Sequence, residues 1–139
     1  MSIRYDGKVA IVTGAGQGLG RSHAVELANR GAMVVVNDLG GNVDGSGGGS
    51  EAALAVVAEI EAAGGEAVAN YDSVSSAEGG ERIVQAALDR FGAVEIVINN
   101  AGILRDASIA KMTSANFDAL VDVHLKGAFY VTQPEIGRA

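Results

Sequence analysis

The sequence predicts an α/β fold, a doubly wound parallel sheet of about four strands with helices on both faces. Three observations predict it: short runs of branched aliphatic residues, amphipathic stretches alternating with them, and glycine-rich bends at the strand ends. The 139 residues fit a single domain by length. Hydrophobic residues make up 48%, enough for a buried core and too many for a disordered chain.

Val9-Ala10-Ile11-Val12 is apolar at every position, as a strand covered on both faces requires. It runs into Thr13-Gly14-Ala15-Gly16-Gln17-Gly18-Leu19-Gly20, a turn of nearly bare backbone. From Gly20 to Gly31 the small and apolar residues at 20, 24, 27, 28 and 31 share one helical face, and Gly31 can end the helix. Met33-Val34-Val35-Val36 is a second buried strand, ending at Asn37-Asp38. Residues 39–50 hold six glycines and no periodicity, which predicts a mobile glycine-rich loop. Ser50 can cap the next helix, whose Ala53, Val56, Val57 and Ile60 form a stripe that Gly64-Gly65 terminates. Ala67-Val68-Ala69 is a weaker third strand. A Ser75-x-x-Glu78 capping box opens a third helix that reaches Phe91, with Gly92 beyond its end. Val94-Glu95-Ile96-Val97-Ile98 is the fourth strand, closing on Asn99-Asn100-Ala101-Gly102. After a connection from Ile103 to Met112, Thr113 or Ser114 caps a fourth helix that Pro134 stops.

Composition narrows the function. Ten basic residues against 17 acidic ones leave a net charge of −7, which argues against a nucleic-acid binder. Twenty glycines with one proline suit tight turns and close backbone approaches, not a proline-rich linker. The absence of cysteine excludes a disulfide scaffold, a thiol nucleophile, Cys-ligated zinc and an iron–sulfur cluster, and no metal site is expected. Apolar runs fall far short of the roughly 20 residues a membrane span needs. Met1 to Gly7 has no apolar signal core, so a cytoplasmic protein is expected, with no membrane partner.

The turn between the first strand and first helix places unpaired backbone N–H groups and the positive helix end where a phosphate can sit. A P-loop needs Lys followed by Ser or Thr after the last glycine, but Arg21-Ser22 follows Gly20. The G-x-G-x-x-G fingerprint fails too, because Leu19 falls at its third glycine. Asp38 ends the second strand about 20 residues past the turn, where a carboxylate accepts from a ribose 2′-hydroxyl and repels a 2′-phosphate. NAD is therefore the expected cofactor. The competing reading makes Asp38 only the start of a turn before Leu39-Gly40.

Thr13-Gly14-x-x-x-Gly18-x-Gly20, Asp38, Asp72-Ser73-Val74 and Asn99-Asn100-Ala101-Gly102, each after its strand, together resemble the short-chain dehydrogenase/reductase family from about Lys8 to Thr132. More narrowly, Val36 to Gly41 with its glycine-rich continuation, and Asn100 to Asp106, look like the (3R)-hydroxyacyl-CoA dehydrogenase domain of multifunctional β-oxidation enzymes. The resemblance implies a Rossmann-type fold, truncated here after about four strands in the order 3-2-1-4. It implies an NAD-binding domain over residues 1–139, acting on a secondary alcohol or ketone, with an acyl-CoA as candidate small-molecule substrate. By it, Gly14, Gln17, Gly18, Leu19 and Gly20 line the pyrophosphate and Asp38 meets the adenosine ribose. Asp72, Ser73 and Val74 border the adenine, and Asn99, Ala101 and Gly102 pass near it and the nicotinamide ribose. The other reading of Asn99 to Gly102 is a structural turn holding the central strand; the two are compatible.

Phe117, Leu120, Val121, His124, Ala128 and Val131 share a stripe, which aims His124 inward with the apolar face. The family carries asparagine in that V-N-x-x-G setting, where it helps hold a water of the proton relay, so His124 is the candidate catalytic residue and a core histidine is the alternative. His23 reads as a surface residue. The family's serine after a fifth strand and its Tyr-x-x-x-Lys pair are missing: Tyr5, Tyr71 and Tyr130 have no lysine four positions on, and Pro134 to Ala139 match no expected motif. The chain alone is therefore expected to be inactive, and the alternative is a non-catalytic nucleotide-binding or dimerisation fragment. An aliphatic edge strand at 94–98 predicts a homo-oligomer.

Overall fold

A computed structural model describes residues 3–136. Four parallel strands form one sheet in the order β3-β2-β1-β4: β1 Val9–Val12, β2 Met33–Asn37, β3 Glu66–Asn70 and β4 Ile96–Ile98. Helices α1 Gly18–Asn29, α2 Glu51–Ala62 and α3 Ala77–Phe91 are the crossovers. Side chains alternate across each strand. Ala10, Val12, Val34 and Val36 therefore pack with Ala24, Leu27, Val56 and Ile60 of α1 and α2. Val9, Ile11 and Val35 face the other way, onto Ile83, Val84 and Ala87 of α3. Two cores back to back on one sheet are what a doubly wound fold requires, and the expected strand order is the observed one.

Local chemistry sets the boundaries. Gly92 ends α3 at φ 81°, its N–H donating to the Ala87 and Leu88 carbonyls. The third helix is capped by Ser76, whose hydroxyl accepts from the Gly79 N–H at 3.1 Å, and not by Ser75. Ser75 is occupied otherwise, its hydroxyl 2.7 Å from that of Ser73. Ser50 stands at the expected start of α2 but makes no side-chain cap hydrogen bond, because its backbone is already helical. α1 begins at Gly18, two residues before the expected Gly20. β4 begins at Ile96, not at Val94; Glu95 instead binds β1, its N–H donating to the Val9 carbonyl at 3.0 Å and its carboxylate accepting from the Val9 N–H at 2.7 Å.

The largest departure from expectation follows the long connection. The single fourth helix is three pieces: α4 Ser114–Val121, a π-helical turn over Asp122–Lys126, and α5 Gly127–Ile136. Thr113 caps α4, its hydroxyl accepting from the Asn116 N–H at 3.2 Å. The π turn widens the helix by one residue per turn and breaks the 3.6-residue stripe. No residue of α4 is buried, Phe117 is 57% exposed, and His124 is exposed rather than directed into the core. Val131 does reach the core beside α3. Pro134 lies inside α5 and does not stop it. The residue lacks the N–H that would meet the Tyr130 carbonyl. That same carbonyl lies against bare Gly80 of α3, where any Cβ would collide with it.

Candidate functional site

β1 is bolted to the loop after β4 by one buried hydroxyl. Thr13 Oγ1 accepts from the N–H groups of Asn100 at 3.1 Å and Ala101 at 3.0 Å. The Asn100 side-chain amide donates in return to the Thr13 and Gly14 carbonyls, both at 3.1 Å. Asn100 and Ala101 thus hold the end of the central strand.

The glycines of the turn are required by close approach. A Cβ on Gly14, whose φ is +61°, would lie 2.8 Å from Ala101 Cα, and one on Gly20 would strike the Gly14 carbonyl oxygen. Gly18 differs: its φ is +56° and no atom stands near its missing side chain, so it leaves the helix start open. Gln17 at the N-cap makes no side-chain cap hydrogen bond, which leaves first-turn N–H groups of α1 to an outside acceptor.

Asp38 closes the other side. Its Oδ2 accepts from the Gly16 N–H at 2.7 Å and its Oδ1 from the Gly40 N–H at 2.6 Å. A Cβ on Gly16 would fall 2.7 Å from that Oδ2, so the carboxylate is seated on bare backbone. An ionised carboxylate has about four lone-pair sites, so two remain for a hydroxyl donor.

Behind Asp38 sits a polar network that sequence reading did not find. Asn37, 2% exposed, donates from Nδ2 to Asn70 Oδ1 at 2.8 Å and to the Asp72 carbonyl at 2.9 Å. Asn70 Nδ2 donates to Asp72 Oδ2 at 2.9 Å, and Arg82 Nε donates to Asp72 Oδ1 at 2.5 Å. The hydrogen bond to Asp72, and then its charge, raise the Arg82 pKa above its ordinary value. Asparagines closing two aliphatic strands in register were the signal available.

These elements surround a cleft of about 400 Å³ at the C-terminal ends of the strands, within the roughly 300–1,000 Å³ typical of small-molecule sites. Of the expected residues, Gly14, Gln17, Asp38, Asp72, Ser73, Val74, Ala101 and Gly102 line it. Gly18, Leu19, Gly20 and Asn99 do not: Leu19 is 73% exposed, and Asn99 donates to Thr132 Oγ1 of α5 at 3.0 Å. His124 does not line it either, but packs beside Gly102 and Ile103, which do. Its Nε2 is 3.1 Å from the Ile103 nitrogen and 2.9 Å from the Ile103 oxygen, and the ring fills the space a Gly102 side chain would take. Unforeseen lining residues include Val43, Gly45, Ile103 and Arg105. They come from two loops far apart in sequence, and nothing in either loop's composition shows that they meet.

A crevice outside the carboxyl ends of parallel strands, where the order reverses from β2 and β3 on one side of β1 to β4 on the other, is where open α/β proteins bind ligands. The family is settled by likeness: the short chain dehydrogenase family matches residues 8–136, and the chain belongs to it. It is 56% identical over 131 residues to the mouse peroxisomal multifunctional enzyme type 2, covering 94% of this chain and 17% of that protein. To the peroxisomal multifunctional enzyme A of Dictyostelium discoideum it is 58% identical over 133 residues, 96% of this chain and 30% of that one. The crystal structure of a short chain dehydrogenase from Mycobacterium avium superposes with a TM-score of 0.86 at 48% identity, covering 95% of this chain and 46% of that one. The chain thus spans under a third of both multifunctional enzymes and about half of the solved relative.

Proposed function

We propose that this chain is the cofactor-binding part of an NAD-dependent oxidoreductase, which passes hydride between NAD and a secondary alcohol or ketone, with a 3-hydroxyacyl-CoA as its candidate substrate. The observation that carries the reading is Asp38, fixed by two backbone N–H groups at the mouth of a turn in which Gly14, Gly16 and Gly20 have no room for a side chain. Gly14 and Gln17, with the first-turn N–H groups of α1, would hold the diphosphate beside Leu19 and Gly20, and Gly18 leaves that approach open. Asp38 would accept from the adenosine ribose, while Asp72, Ser73 and Val74 form the wall for the adenine. Ala101 and Gly102 would border the nicotinamide side, with Asn99 tying their segment to Thr132 of α5. When bound, NAD supplies the acceptor or donor of hydride.

Proton transfer has one candidate group here, His124. Its imidazole is exposed beside Gly102 and already meets the Ile103 backbone, so a relay role would use the other ring nitrogen. None of the 139 residues forms a Tyr-x-x-x-Lys pair. That favours a second reading of this chain by itself, a nucleotide-binding or dimerisation module without catalysis. Mixing the chain with NAD and a (3R)-3-hydroxyacyl-CoA tests the pair of readings through absorbance of reduced nicotinamide and binding heat. Binding without reduction is expected of these residues alone; turnover would refute inactivity, and no binding would refute the cofactor site.

The hydroxyacyl-CoA assignment draws on relatives that include a hydroxyacyl-CoA dehydrogenase of Mycobacterium tuberculosis, 42% identical over 131 residues. As to place, no helix among the described residues is long and apolar enough to cross a membrane. The two multifunctional relatives are peroxisomal by name, so a cytoplasmic location stands as a proposal for fractionation to test.

A further inference from the structure

Residues 39–50 leave the end of β2 and do not stay beside it. The Leu104 N–H donates to the Val43 carbonyl at 2.9 Å, and Arg105 Nε donates to the Asp44 carbonyl at 2.9 Å. Gly45 lies on Ile103, whose Cβ is 3.6 Å from where a Gly45 Cβ would stand. Residues 103–105 belong to the segment that follows β4. Because β1 lies between β2 and β4 in the sheet, a bridge from the end of one to the end of the other passes across the end of β1. The glycine turn starts there.

The loop is shaped for this. The Asn42 N–H donates to the Ser46 carbonyl at 2.7 Å and the Gly49 N–H to the Leu39 carbonyl at 2.9 Å, so it is a compact loop with close ends. Residues 42–50 are all exposed, so the loop is held by polar contacts at its tip and not by a buried anchor. Segments held that way open at low cost. Arg105 is the firmest of the contacts, since its Nη1 also donates to Asn116 Oδ1 of α4 at 3.2 Å.

We propose that residues 39–50 are a strap latched across the cofactor cleft by Arg105, and that the latch must open for a dinucleotide to enter or leave. The inference rests on the reading of the cleft as an NAD site. Arg105 is a positioning residue: it holds the strap and takes no part in hydride transfer.

The chain has no cysteine, so the pair Gly45→Cys and Ile103→Cys gives one clean cross-link. The separation of 3.6 Å suits a disulfide. Cysteine at the Gly45 φ of +85° is strained, but equally in the oxidised and reduced forms, which are compared with each other. Stopped-flow mixing with NAD should show association slowed about tenfold or more by oxidation and restored by reductant, because binding that awaits a conformational change is slow. Arg105→Ala should speed association and dissociation together, each about two- to tenfold, leaving the Kd less changed than either rate. A residue that only contacts the ligand would move dissociation alone. Equal association rates in the oxidised and reduced pair, or an Arg105→Ala variant changed only in dissociation, overturns the strap. If the paired variant does not fold, Arg105→Ala decides by itself. Failure of the unsubstituted protein to bind NAD overturns the cofactor reading, and the strap with it.

Discussion

Asp38 and Thr13 do different work just beyond the ends of neighbouring strands, and substitution separates them. Two like charges about 4 Å apart repel by about 4 kcal/mol at the effective dielectric of a protein surface, so under the proposed cofactor reading the Asp38 carboxylate would weigh heavily against a 2′-phosphate. Asp38→Asn keeps the size and removes the charge. We expect NAD affinity to fall by about 1.5–3 kcal/mol with a smaller loss, or a gain, for NADP, as titration of both would show. Thr13 is 1% exposed and satisfies two backbone N–H groups at once. Thr13→Val leaves the Ala101 N–H without a partner, while the Asn100 N–H keeps the Ile98 carbonyl at 3.0 Å, and thermal melts should show a loss of about 1–3 kcal/mol.

At the scale of elements, the strap carries its own pH signature. The Ser46 hydroxyl, then the Ser46 N–H, and more weakly the Arg105 charge, hold the Asp44 carboxyl below the ordinary carboxylate range. A folded pKa below the unfolded one gives stability that is present above the unfolded value of about 4 and lost as the pH falls through the lowered one. The strap tip should therefore keep its order at neutral pH and loosen only in acid. NMR of the Ser46 amide should report that step, and Asp44→Asn should remove it.

What the sequence made legible was decided element by element. β1, α1 and β2 could be read because four-residue aliphatic runs have one way to be covered on both faces, and Gly31 and Gly92 mark real helix ends. The eight expected residues that line the cleft sit in or beside the C-terminal ends of the four strands. The π turn at Asp122–Lys126 could not be read, because a one-residue widening alters no residue's own preference while shifting every side chain after it. His124 lies inside that turn and is exposed. Pro134 misled because a proline costs one hydrogen bond, and packing of α5 on α3 at Gly80 overrides it. The Val43–Leu104 and Asp44–Arg105 contacts were hidden because local pattern carries no information about which loops meet.

For the whole molecule, two features point outward. Among the described residues β4 is paired on one side only, and an aliphatic edge invites a further strand. Leu104, Ile109, Phe117, Leu125, Phe129 and Ile136, all after β4, are large apolar side chains 57–94% exposed. So much exposed apolar surface in one part of a molecule favours association. This chain alone should scatter light with a mass above that of one copy; a monodisperse monomer would count against it.

The account turns on whether the cleft takes the unphosphorylated dinucleotide. Parallel calorimetric titrations with NAD and NADP test this most directly. The account predicts saturable heat with NAD and binding of NADP at least about tenfold weaker, a difference of about 1.4 kcal/mol or more. Equal or tighter binding of NADP, or no heat from either, would contradict it.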